Sequence, residues 1–279
     1  MSDRGHATEP QTLVMSRYRH TLPVRTTHWL NLLILTVMLG SGLQIFNAHP
    51  ALYWGDRSDP GTAWLSIEAR RMESGSLRGV TRLAGQEVDT TGVLGVSAGR
   101  GGVEARAFPA WATIPGPRWL AMGRRWHFFF AWLLVANGLV YVIFSLFGRH
   151  LTRELLPSFA ELKGLGRSLR EHLSVRRLRG QSVQGYNPLQ KLAYLAVVFG
   201  LGPLVLLTGL TMSPWLDSVF PGLLDLFGGR QSARSIHFIA AFAFVAFLLV
   251  HLAMVLLVGP VNHVRAMVTG RLQIRRPKQ

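Results

Sequence analysis

Four stretches of about twenty residues, at about 28–47, 126–147, 190–212 and 234–258, are apolar and almost free of charge. That length matches the roughly 30 Å hydrocarbon core of a bilayer at about 1.5 Å of rise per residue. Lipid offers nothing to pair with backbone N–H and C=O groups, so each stretch must satisfy its own backbone as a helix. The predicted fold class is an all-α membrane protein, a four-helix transmembrane bundle with a long periplasmic insertion between helices 1 and 2. The insertion, residues 48–125, is too long for a simple connection and reads as a folded cap. Within Ser74–Arg106, the pieces Gly79-Val-Thr-Arg-Leu and Val93-Leu-Gly-Val predict a hairpin. Residues 148–189 form a loop with an amphipathic helix expected over Ser158–Arg179. The chain 1–279 is expected to be one membrane domain.

Orientation follows from Lys and Arg near the spans. There are four in the N-terminal tail, nine in 148–191 and five after Pro260, against one in 213–233. The insertion has ten, offset by seven acids, and long translocated segments obey the rule weakly. Both termini and the middle loop are therefore expected in the cytoplasm. Asn47-Ala-His-Pro-Ala51 resembles a cleavage site, but cleavage there would remove the first span with its histidine. The net charge of +16 is that of membrane flanks rather than of a nucleic-acid-binding surface, since no soluble binding motif accompanies it.

No cysteine is present, which excludes disulfides, iron–sulfur ligation, thiolate-ligated haem and covalent c-type haem. No His-Glu-x-x-His occurs either, so a zinc-protease reading fails. Any metal must therefore be held by His, Met, carboxylate or carbonyl, and the spans hold histidines at suggestive positions. His237 and His251 lie fourteen residues apart in the last span. Fourteen helical steps return to within about 40° of the start after a rise of about 21 Å, so one face carries an imidazole toward each side of the membrane. On the expected topology His28 matches the depth of His251, and His127 that of His237. Each pair is suited to hold one iron through two axial imidazoles, leaving no open position for substrate. Gly42 and Gly138 leave side-chain-free patches on the histidine faces where a flat macrocycle can approach. Arg124, Arg125 and Arg234 beside the outer pair, and Arg25 beside the inner one, are candidate cations for propionates. His20 and His263 are candidates for a cytoplasmic proton path.

Several segments resemble a known family. They are His20-Thr-Leu-Pro-Val-Arg-Thr-Thr-His28-Trp, Ser41-Gly-Leu-Gln-Ile-Phe-Asn-Ala-His-Pro, Gly123-Arg-Arg-Trp-His127-Phe and Asp225-Leu-Phe-Gly-Gly-Arg-Gln-Ser-Ala-Arg-Ser-Ile-His237-Phe. They are similar to the bacterial dihaem cytochrome b561 branch described as thiosulfate reductase cytochrome b subunits, related to those of hydrogenases and formate dehydrogenases. The resemblance implies four haem ligands at His28, His127, His237 and His251. It also implies exchange with the quinone pool and a periplasmic molybdopterin-dependent oxidoreductase as partner. The 48–125 insertion departs from the hydrogenase and formate dehydrogenase pattern. Two rival readings are a stand-alone b561-type quinone oxidoreductase, such as a superoxide oxidase, and a histidine-based metal or proton transporter.

Overall fold

A computed structural model describes residues 12–59, 61–99, 101–166, 186–220 and 222–277. Four apolar helices are long enough to cross a membrane: α1 (Leu22–Phe46), α2 (Leu120–Phe147), α3 (Pro188–Thr211) and α4 (Arg230–Val258). They begin ahead of their apolar runs, because basic residues such as Arg25, Arg124 and Arg230 wind into the first turns. There a long side chain can keep its charge in water while its stem lies on apolar surface. Running into Gly200-Leu-Gly-Pro203, α3 takes a π turn over Ala196–Leu201. Proline has no N–H to donate and its ring crowds the carbonyl four residues earlier, and a wider turn absorbs both. The chain divides into two compact units, each formed from several stretches of sequence.

The larger unit comprises Leu30–Leu139 and Ala193–Phe247. Its insertion is built of β-structure: β2 (Ala51–Leu52), β3 (Leu65–Arg71), β4 (Leu77–Leu83) and β5 (Gln86–Asp89) form one antiparallel sheet in that order. The strands β6 (Gly95–Gly99) and β7 (Gly102–Arg106) form a second. The single hairpin expected over Ser74–Arg106 is therefore two, β4–β5 and β6–β7. Strand β4 contains Gly79–Leu83, β6 takes only Gly95 and Val96 of the second piece, and the two strands are not paired. Ala84 and Gly85 join β4 to β5 with φ of 48° and 85°. Positive φ at both turn residues gives the backbone the twist that a two-residue hairpin needs.

This insertion is stapled to the helices at both ends of its sequence. The Arg106 side chain is 2% exposed. It donates to the Gly116 carbonyl at 2.9 Å, to Gln44 Oε1 on α1 at 2.8 Å and to Thr113 Oγ1 at 2.9 Å. Gln44 Nε2 donates to the Pro117 carbonyl at 2.9 Å, while Asn47 and the backbone of Phe108 exchange two hydrogen bonds of 3.1 and 2.7 Å. On the α4 side, Ser232 Oγ accepts from the Gly55 N–H, and Ser235 Oγ donates to the Tyr53 carbonyl while accepting from Trp64 Nε1. Between the two sets of staples lies an apolar core of Leu43, Phe46, Leu52, Leu65, Ile67, Ala107 and Phe108. By contrast the Arg70–Glu87, Arg78–Asp89 and Arg82–Glu87 pairs on the sheet are solvated and add little stability.

The smaller unit comprises Met1–Trp29, Val140–Leu192 and Leu248–Gln279. Its strand β1 (Thr12–Tyr18) pairs antiparallel with β8 (Arg271–Pro277), from Thr12↔Pro277 to Tyr18↔Arg271. A helix, α5 (Pro260–Thr269), leads into β8 through Gly270, whose φ of 80° suits glycine. The Gly270 carbonyl accepts from the N–H groups of Arg19 and His20, and Trp29 Nε1 donates to the Met267 carbonyl at 3.1 Å. The tails before α1 and after α4 are thus joined to each other. Of the amphipathic helix expected over Ser158–Arg179, Phe159–Lys163 is helical and is capped by Ser158, whereas 167–185 lie outside the described residues.

Arg106→Met should remove the donor to Gln44 Oε1 and Thr113 Oγ1 and the shorter of the two bonds to the Gly116 carbonyl, at a cost of about 2–4 kcal/mol. The expected result is a lower thermal midpoint and faster proteolysis inside the insertion. An unchanged digestion pattern would show that the guanidinium is not what fastens it.

Candidate functional site: two facing imidazole pairs

In the larger unit the rings of His127 and His237 face each other with centroids 6.2 Å apart and planes inclined by 64°. Each is held from behind by a neighbouring helix, and the two holders are alike. His127 Nδ1 lies 3.1 Å from the Met38 carbonyl and 3.1 Å from Ser41 Oγ on α1. His237 Nδ1 lies 3.0 Å from the Val205 carbonyl and 3.2 Å from Thr208 Oγ1 on α3. A carbonyl can only accept, so in both rings the proton sits on Nδ1. That leaves Nε2 with its lone pair available to a metal. A Cβ added at Gly42 would stand 3.4 Å from the His127 ring, and one at Gly209 3.3 Å from the His237 ring. Each glycine lets the helix backbone come close enough for the preceding turn to reach Nδ1.

In the smaller unit His28 and His251 also face each other, with centroids 6.2 Å apart and planes inclined by 57°. Trp29 stands edge-on to His28 at 5.3 Å. His28 Nδ1 is buried and has no hydrogen-bond partner among the described residues. One helix, α4, supplies a histidine to each pair.

The donor sets fit a porphyrin iron. A metal–imidazole bond is about 2 Å, and two such bonds in line, with the half-ring behind each nitrogen, span about 6 Å. Among the described residues no three His, Asp or Glu side chains gather as a metal site. A macrocycle brings four equatorial nitrogens of its own, so two imidazoles suffice.

The remaining expected site residues fall as follows. Gly42 lies against the imidazole of His127, where an added Cβ would touch the ring. A Cβ at Gly138 would meet nothing within 4 Å, which leaves open space on α2. Arg124 and Arg125 are exposed in the first turns of α2, Arg124 5.8 Å over the Phe128 ring. Arg234 gives its guanidinium to the carbonyls of Ala51 and His49, and Arg25 donates to the Val268 carbonyl. Both of these arginines are committed to backbone staples. Sequence reasoning missed Ser41, Thr208 and Gly209 entirely, although the repeated hydroxyl–glycine dipeptides Ser41-Gly42 and Thr208-Gly209 are visible in spans one and three.

The smaller unit also collects titratable groups outside its spans. His20 is pushed down to about 4, first by burial and then by Arg19, His28, His150 and His263. His150 and His263 are lowered mainly by burial. Arg19 lies 3.8 Å from Glu154 and 4.6 Å over the Tyr186 ring, and the His20 ring is 6.5 Å from the same tyrosine.

Apolar spanning helices with facing imidazoles, each pair spaced for one six-coordinate metal, define a class: integral membrane proteins built to hold haem between helices. Comparison with known proteins places the chain within that class. A family profile for prokaryotic cytochrome b561 matches residues 19–270, and the chain belongs to that family. It is also 38% identical over 140 residues to the "Putative protein-methionine-sulfoxide reductase subunit YedZ1" of Azospira oryzae, covering 50% of this chain and 68% of the relative. No solved structure matches. The protein is a multi-pass inner-membrane b-type cytochrome that carries electrons.

Because His20, His150 and His263 are neutral in the fold and gain protons on unfolding, acid should destabilise this unit. The loss sets in as pH drops below about 6.5, the unfolded value, and levels off near the folded value of His20, about 4. A thermal midpoint followed from pH 7 to 4 should fall, and His20→Gln should flatten that fall. Parallel curves for the two proteins would remove His20 from the account.

Proposed function

We propose that the chain binds two b-type haems and relays electrons between the quinone pool and a periplasmic oxidoreductase. His28 and His251 ligate the haem on the cytoplasmic side, His127 and His237 the one on the periplasmic side. Both termini are cytoplasmic. A porphyrin iron between two imidazoles accepts and releases one electron without an open coordination position. The observation that carries the reading is the pair of equal 6.2 Å imidazole separations.

The chain's own residues supply orientation and seclusion. Ser41, Thr208 and the two carbonyls fix the outer rings, and Gly138 leaves room on α2 for a flat group. Arg124 and Arg125 provide cations at a membrane edge for carboxylates. The fourteen-residue step from His237 to His251 along one apolar helix supports two sites at different depths, as a relay across a membrane requires. The basic loops and the pairing of the two tails with each other support cytoplasmic termini.

The partner is a molybdopterin-dependent oxidoreductase docked on the 48–125 insertion, the whole chain serving as its single membrane domain. Support comes from the family relation to hydrogenase and formate dehydrogenase cytochrome subunits and from a relative named as a reductase subunit. The rigid attachment of the insertion to α1 and α4 would transmit a docked partner's position to the outer pair.

A pyridine haemochrome assay on purified protein should return two b-type haems per chain. His28→Ala or His251→Ala should reduce this to one, as should His127→Ala or His237→Ala, with different absorption maxima left in the two cases. No haem, or loss of both from any single variant, would sink the two-site reading. Co-purification of a molybdopterin protein tests the partner separately.

A further inference from the structure

The outer imidazoles are seated by the same three-part device on two different helices: a carbonyl at one position, a hydroxyl three residues later and a glycine directly after it. On α1 these are Met38, Ser41 and Gly42, and on α3 they are Val205, Thr208 and Gly209. The spacing puts all three on one helix face. Both hydroxyls are fully buried. Each spends its only proton within its own helix, Ser41 on the Val37 carbonyl at 2.7 Å and Thr208 on the Leu204 carbonyl at 2.7 Å. The oxygen facing each imidazole is therefore an acceptor, and each Nδ1–H is shared between it and a carbonyl.

We infer that Ser41 and Thr208 are positioning residues that set the reduction potential of the outer haem, holding it lower than the imidazoles alone would. The inference rests on the two-haem reading. An acceptor on Nδ1–H draws that proton outward and leaves more electron density on Nε2, so the ring becomes a stronger donor to the metal. Stronger donation favours the oxidised, more positive iron, and the effect acts from both faces because both axial rings are seated alike. At the inner pair His28 is seated differently: its Nδ1 is buried without a hydrogen-bond partner among the described residues. The protein thus distinguishes two otherwise similar bis-imidazole sites through the groups behind the rings. No bond to a ligand changes. One electron enters or leaves the iron, and its donor or acceptor is the quinol or the partner's redox centre.

The test is a spectroelectrochemical titration of the purified holoprotein, with the outer haem assigned as the band that persists in His28→Ala. In Ser41→Ala and Thr208→Val the outer haem should be easier to reduce, its ferrous-to-ferric ratio at fixed potential rising by about three- to tenfold, where tenfold corresponds to about 59 mV for one electron. The double variant should shift further. Thr208→Ser, which keeps the hydroxyl, should stay near wild type, and the inner haem should not move in any of them. The inference is overturned if haem content stays at two and the outer potential does not rise, if both haems shift equally, or if Thr208→Ser behaves as Thr208→Val. Wild-type protein without two haems would instead overturn the reading beneath it.

Discussion

In a medium without water, an imidazole that must offer a lone pair on one nitrogen has to hide a proton on the other. The structure depends on how that proton is received. A buried N–H left unpaired costs on the order of 1–3 kcal/mol, and a freely rotating ring would not keep its lone pair aimed at a metal. The carbonyls of Met38 and Val205 meet both needs. They are available because Ser41 and Thr208 sit in helix turns whose next residue is glycine, so the ring can lie against the backbone. Orientation, tautomer and close packing of the outer pair thus follow from one local arrangement used twice.

The insertion obeys a related constraint. It enters and leaves through α1 and α2, where loops would bring unpaired backbone groups to the membrane edge. Arg106 resolves this by going inward: a single guanidinium satisfies the Gly116 carbonyl, the Gln44 amide oxygen and the Thr113 hydroxyl. Burial works against the charge and lowers the guanidinium's proton affinity, with Glu104 partly compensating. The buried cation is tolerable because its two terminal nitrogens donate to three acceptors. Serines 232 and 235 do the corresponding work on α4 with hydroxyls alone. The consequence is rigidity: the insertion is fixed to the helix that carries His237.

Much of this was legible in the sequence. Hydropathy reported the spans because lipid permits only one backbone solution there, and the fourteen-residue spacing of His237 and His251 declared a shared helix face. The pairing of histidines followed from counting depth along alternating helices. What stayed hidden depends on non-local partners. Nothing in Thr12–Tyr18 announces that it will pair with Arg271–Pro277 more than 250 residues away. Gly42 was noticed, but the His127 ring that packs against it was not, since a glycine reports only that something comes close. Arg234 read as a propionate cation, yet its guanidinium lies on the carbonyls of His49 and Ala51, acceptors that a residue count cannot place.

The third span shows why a helix without a ligand still matters to the site. Its π turn at Ala196–Leu201 holds one residue more per turn than the rest of the helix. Every residue beyond it is therefore rotated by about 100° relative to an unbroken α-helix. Val205, Thr208 and Gly209 all lie beyond it, and they are the three positions that receive His237. Without the extra residue the hydroxyl–glycine face would point a quarter-turn away and the ring would lose its acceptors. Pro203, by crowding the carbonyl of Phe199, makes the wide turn the favourable choice at that place. A backbone irregularity that hydropathy treats as a defect in the span is thus what aims the third helix at the outer pair.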